Sequence, residues 1–211
     1  MIALLVPVLA FVAVSTAQDP PRCCIDKEFE AYLDEAGSFV SAQDKEFHPL
    51  KGYTTVAYDY YAKKMALRVH NTFENGTEIA GTLIFDYENK LEYAIYNRKC
   101  TIHKYPLQMR EPCIPDNATY EGKLTMGYGA HVLQLNTWKY IQPKTHFPVK
   151  LSVSVDGCVP VVESIYMTGS KSKSEIVYII SNFHAGIKNR KRFTIPNSCH
   201  GVNVKETTLV G

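Results

Sequence analysis

The stretch Val149-Lys150-Leu151-Ser152-Val153-Ser154-Val155-Asp156 reads as a β-strand. Every second residue is aliphatic and every intervening one is polar. In an extended chain that period of two gives one apolar and one wet face. Met65, Leu67 and Val69 repeat the pattern against Lys64, Ala66, Arg68 and His70. Similar runs cover Thr82–Tyr87, Leu91–Tyr96, Leu124–Tyr128, His131–Trp138, Val159–Met167 and Glu175–Phe183, all rich in the Val, Ile, Thr and Tyr that favour strands. Turn residues separate them: Glu88-Asn89-Lys90, Gly127-Tyr128-Gly129-Ala130 and Asp156-Gly157. Strand follows strand without an intervening helical period, so the fold class is all-β and antiparallel. Earlier, Asp26 to Gln43 mixes acidic and apolar residues around Gly37 and Ser38, and reads either as a short helix or as coil leading into a strand.

Several runs are apolar on both faces. Two packed sheets with a filled core would account for this. So would a strongly curved sheet whose concave face lines a cavity. Alternation groups Met65, Leu67 and Val69, then Leu83, Phe85 and Tyr87, then Leu91, Tyr93 and Ile95. It also groups Leu133 with Leu135, and Val149, Leu151, Val153 and Val155.

The first seventeen residues have the form of a cleavable leader. Ile2 to Val14 is apolar, and Ser15-Thr16-Ala17 offers small residues to signal peptidase. Residues 18–211 then form one domain. No later stretch approaches eighteen consecutive apolar residues, so an extracellular or lumenal location is expected. In such a compartment six cysteines, Cys23, Cys24, Cys100, Cys113, Cys158 and Cys199, read as a disulfide framework. Cys23 and Cys24 are adjacent, and a vicinal bridge strains the peptide. They are expected to reach two distant partners.

Catalytic signatures are missing. The chain has no G-x-S-x-G elbow, H-E-x-x-H helix, C-x-x-C pair or phosphate-binding glycine loop. The formal net charge of +2 gives no reason to expect nucleic acid. Acidic residues cluster from Asp26 to Glu35 and from Asp86 to Glu92 without EF-hand spacing, so a solvated acidic face is the simpler reading than calcium. Lys188-Asn189-Arg190-Lys191-Arg192 is the one basic run, a solvated turn by default, with a proteolytic site or a patch for anionic lipid or glycosaminoglycan as the alternatives. Asn75-Gly76-Thr77 and Asn117-Ala118-Thr119 are glycosylation sequons between strands.

A family resemblance joins these pieces. Phe85-Asp86-Tyr87, Tyr93 to Cys100, Ile114-Pro115-Asp116-Asn117-Ala118-Thr119, Trp138, Gly157-Cys158-Val159-Pro160-Val161 and Gly186 to Cys199 follow one another in an order that resembles the ependymin-related proteins. The resemblance implies two curved antiparallel sheets forming a half-barrel around an apolar pocket, similar to bacterial lipoprotein carriers. It implies a secreted or lysosomal glycoprotein without catalytic activity. The family is associated with lipid or fatty-acid binding, calcium binding, cell–matrix adhesion and dimer formation. Cys100 and Cys199 match positions that pair with each other, and Cys158 matches one that pairs with an N-terminal cysteine, here Cys23 or Cys24. The chain lacks another pair of the family and has Cys113 instead, which implies a bond to the remaining member of Cys23 and Cys24. The resemblance favours the cavity over the filled core. The fifteen alternating residues from Met65 to Val155 are then expected to line it, with little polar lining. Hydrophobic-ligand binding is the expected function. Calcium-linked matrix adhesion or extracellular signalling through the surface is the rival.

Overall fold

The computed structural model describes residues 18–41, 45–73, 76–143, 145–168 and 172–206. The leader and Asn75 lie outside the described residues. Six strands form a first antiparallel meander: β1 (Glu28–Ser41), β2 (Phe47–Asp59), β3 (Lys64–Phe73), β4 (Glu78–Asp86), β5 (Leu91–Tyr96) and β6 (Lys99–Lys104). Five more form a second: β7 (Thr119–Tyr128), β8 (His131–Ile141), β9 (Pro148–Ser154), β10 (Pro160–Thr168) and β11 (Ser172–Ala185). A short β12 (Val204–Lys205) runs parallel to β6.

The antiparallel all-β expectation holds, and the two expected sheets prove to be continuous. β1 pairs with both β2 and β11, so the meanders merge into one sheet of twelve strands among the described residues. The Asp26–Gln43 region, read as a short helix or as coil leading into a strand, supplies this central strand. Its outward residues Tyr32, Asp34 and Ala36 are exposed, while Ala31 is buried and Leu33 and Glu35 are half-buried. A strand with one wet face and a carboxylate on the other lacks the apolar excess that marks its neighbours.

Opposed residues in an antiparallel ladder project to the same face. On one face Ala57, Ala66, Ile84, Tyr93 and Ile102 oppose one another in turn from β2 to β6. This row packs with Phe193 and Cys199 from the chain that follows β11. That C-terminal strap is pinned by Cys100–Cys199 and by Arg190, whose guanidinium contacts the buried Asp59 at 2.7 Å and Glu28 at 2.6 Å. Arg192 donates to the carbonyl oxygens of Thr55 at 2.8 Å and Val56 at 3.2 Å.

The segment 105–118 links β6 to β7 across the other face. Tyr105 packs at a tilt 4.9 Å from the ring of Phe85 of β4, the Tyr58 hydroxyl of β2 donates to the Arg110 carbonyl, and the Arg110 guanidinium lies 5.5 Å from the Tyr140 ring of β8. In a flat sheet β2 and β8 would stand roughly 24 Å apart. One residue touches side chains from both, so the sheet curls around this segment. The face it crosses is concave.

Candidate functional site

The concave face is built from in-register aliphatic rows. Ala31, Val56, Leu67, Leu83 and Ala94 oppose one another from β1 to β5, and Met65 opposes Phe85. Phe29 stacks on Tyr58 at 5.1 Å and on Phe183 at 5.4 Å, carrying the apolar surface from β2 to β11. At the far end Trp138, Tyr140, Val149, Leu151 and Val153 pack with Ile114, Ala118 and Cys158. Between these ends Leu33, Leu67, Leu83, Ile165, Met167 and Ile180 remain half-buried.

Register divides the expected pocket residues between the faces. Met65, Leu67, Val69, Leu83, Phe85, Val149, Leu151 and Val153 are concave, and Tyr87 joins them by stacking 6.1 Å from Phe85. Leu91, Tyr93 and Ile95 take the convex face, a correction to the single-face grouping, because Phe85 opposes Glu92 and Ile84 opposes Tyr93. Leu133 and Leu135 are likewise convex: Asn136 and Trp138 are the residues opposed to Val153 and Leu151. Val155 lies beyond the end of β9 and is 40% exposed.

The concave face also carries the polar groups that the alternation reading left out. One row runs Asn71, Gly52, Glu35, Tyr178, Glu163, Leu151, Trp138 and Tyr120 across eight strands. Burial pushes Glu163 up to about 7, against the opposing pull of Arg110. Burial also raises Glu35, while the Thr54 hydroxyl, donating at 2.5 Å, works to lower it. Tyr178 is raised by burial and by its two acidic neighbours, and burial takes Tyr140 up to about 12. The signal was present in Pro160-Val161-Val162-Glu163-Ser164-Ile165: a carboxylate on the same face as Ile165 has to sit against the apolar wall.

The disulfides are Cys23–Cys158, Cys24–Cys113 and Cys100–Cys199. They settle which of the adjacent cysteines takes which partner. Two of them tie the N-terminal segment and the crossing segment to the β9–β10 turn, at one end of the concave face. Asn117 is exposed in a turn, with its side-chain amide donating to the Ile141 carbonyl at 3.1 Å.

The ependymin family profile matches residues 74–199. This chain belongs to the ependymin family. The matched span runs from β4 through the strap to Cys199; β1, β2, β3 and the two N-terminal cysteines precede it. A full-length ependymin relative fills that gap. Ependymin-related protein 1 of Haliotis asinina is 26% identical over 90% of this chain and 96% of its own length. Ependymin of Notemigonus crysoleucas is 28% identical over 71% of this chain and 70% of its own. Development-specific protein LVN1.2 of Lytechinus variegatus is 26% identical over 69% and 85%. Among solved structures, a LolA superfamily protein of Nitrosomonas europaea covers 81% of this chain and 91% of its own at 7% identity, with a TM-score of 0.33.

The described residues hold no group of three or more His, Cys, Asp and Glu side chains able to share an ion. The pair Asp59 and Glu28 is already neutralised by Arg190.

Proposed function

We propose that this ependymin-family chain is a secreted, non-catalytic carrier that holds an aliphatic ligand against its concave face. The observation behind this reading is the half-buried surface of Leu33, Leu67, Leu83, Ile165 and Ile180, bounded on one side by the 105–118 crossing and lacking a second sheet. An apolar face left half-wet gains roughly 25 cal/mol for each Å² a ligand covers. Part of that gain is offset by the ligand's lost freedom. Three disulfides suit an oxidising compartment, and among the described residues no helix is long and apolar enough to cross a membrane.

The polar row refines the ligand. Glu35, Tyr178 and Glu163 stand in the middle of the apolar wall and offer hydrogen bonds to a hydroxyl or amide group while Glu163 is protonated. Below neutral pH this row is compatible with a neutral lipid. Ionised, it repels a carboxylate. Calcium enters no step.

The test uses a fluorescent fatty-acid probe at pH 5.5 and 8, with wild type and the half-buried variants Leu67→Arg and Leu83→Arg. Saturable binding that is weaker at pH 8 and lost in folded variants supports the reading. Equal binding by both folded variants removes it.

A further inference from the structure

A second site lies on the opposite face. Between β3–β5 and the C-terminal strap is a cavity of about 240 Å³. Its floor is apolar, made by Ala66, Ile84 and Ile95, and its rim carries Arg68, Lys191 and Arg192. Register explains the assembly. Thr55, Arg68, Thr82 and Ile95 oppose one another from β2 to β5, one step from the Ala57–Ala66–Ile84 row. The strap lays Arg192 over Thr55, where it also donates to the threonine hydroxyl at 2.9 Å. Arg192 and Arg68 therefore meet at the mouth.

Three features distinguish this place from an ordinary solvated basic turn. Arg190, in the same run, is already matched to Asp59 and Glu28, whereas Arg68 and Lys191 make no ion pair among the described residues. The Arg192 Nε is buried and has no acceptor, although its other nitrogens are fixed by the backbone. Fixed in place by the backbone, the guanidinium holds its charge at the rim, where an anion would offset it. The carboxylate nearest in effect is Glu30, which accepts from the Asn189 amide at 3.4 Å and leaves the mouth with an excess of cations.

We propose that this convex cavity binds a small anion bearing a short aliphatic tail, a carboxylate or phosphate monoester. Arg68, Lys191 and Arg192 surround the head and Ile84, Ile95 and Ala66 line the tail. The volume equals that of roughly eight waters at ~30 Å³ each, enough for a head and a few carbons but not a long acyl chain. The site is independent of the concave face and does not rely on the carrier reading.

Calorimetric titration of the full chain with hexanoate, hexyl phosphate, inorganic phosphate and 1-hexanol tests it. At pH 8, where the concave row is ionised and repels a carboxylate, hexanoate and hexyl phosphate should bind once per chain and 1-hexanol at least tenfold more weakly; which of the two anions binds more tightly distinguishes a carboxylate site from a phosphate site. Inorganic phosphate should bind at least tenfold more weakly than hexyl phosphate. Arg68→Gln should weaken hexanoate about tenfold and Lys191→Gln about threefold; both positions are exposed, so either variant can carry the test if the other fails to fold. Leu67→Arg, on the concave face, should leave hexanoate unchanged. Absence of saturable binding, equal binding of 1-hexanol, or loss in Leu67→Arg with retention in Arg68→Gln would overturn the assignment.

Discussion

Glu163 stands directly opposite Tyr178 on the concave face, and Tyr178 stands directly opposite Glu35. Two carboxyl groups are thus separated by one phenol in the middle of an apolar wall. Burial raises all three groups.

The first prediction follows from that row. In the unfolded chain Glu163 ionises near the ordinary glutamate value of 4.5; burial in the folded protein pushes it up to about 7. Between those values the folded state binds more protons, so stability falls as pH rises through the window and the penalty is complete above it. Glu163→Gln should be more stable than wild type at pH 8 by about 1–3 kcal/mol and nearly equal at pH 4. Urea unfolding at both pH values checks this. A constant difference across the range would contradict it.

Gly52 lies between Glu35 and Asn71 on the same row. A methyl group there would sit 2.3 Å from the His70 carbonyl oxygen and 2.3 Å from Asn71 Oδ1. One obstacle is backbone in a paired strand, which cannot swing aside. Gly52→Ala should therefore lower stability by about 2–3 kcal/mol, measured by the same unfolding experiment.

The strap depends on Cys100–Cys199, a closure over 99 residues. Replacing both cysteines with serine should cost about 2–5 kcal/mol. Hydrogen exchange should speed up in the strap and in β6 before the β8–β9 core, whose Trp138 and Val149 are almost wholly buried.

Asn117 is exposed, and its amide contact with Ile141 is weak enough to be given up to a sugar. Protein from a eukaryotic secretory host should lose mass on glycosidase treatment, and Asn117→Gln should remove that glycan's share.

Alternation alone identified β3 and β9 and the antiparallel all-β class, because those strands carry a clear apolar face; the strand order came from the structure. It did not identify the faces across a turn. Met65 opposes Phe85, odd with odd, whereas Phe85 opposes Glu92, odd with even. Each turn sets the next register, and a shift of one residue moves every side chain to the other face. Leu91, Tyr93 and Ile95 do share one face of their strand, but for that reason it is the convex one and not the expected pocket wall, and the same holds for Leu133 and Leu135. β1 stayed ambiguous between a short helix and coil leading into a strand because Glu28, Glu30, Asp34 and Glu35 mask the alternation of a strand whose outer face is wet. The convex cavity joins residues more than a hundred positions apart, Arg68 and Arg192, which no local pattern connects.

The most direct measurement is mass spectrometry of the organic extract from protein secreted by a eukaryotic host, with folded Leu67→Arg purified in parallel. A concave-face carrier should release a long-chain aliphatic molecule near one per chain from wild type and much less from the variant. Extracts free of such molecules from both proteins, together with undiminished probe binding by the variant, would contradict it.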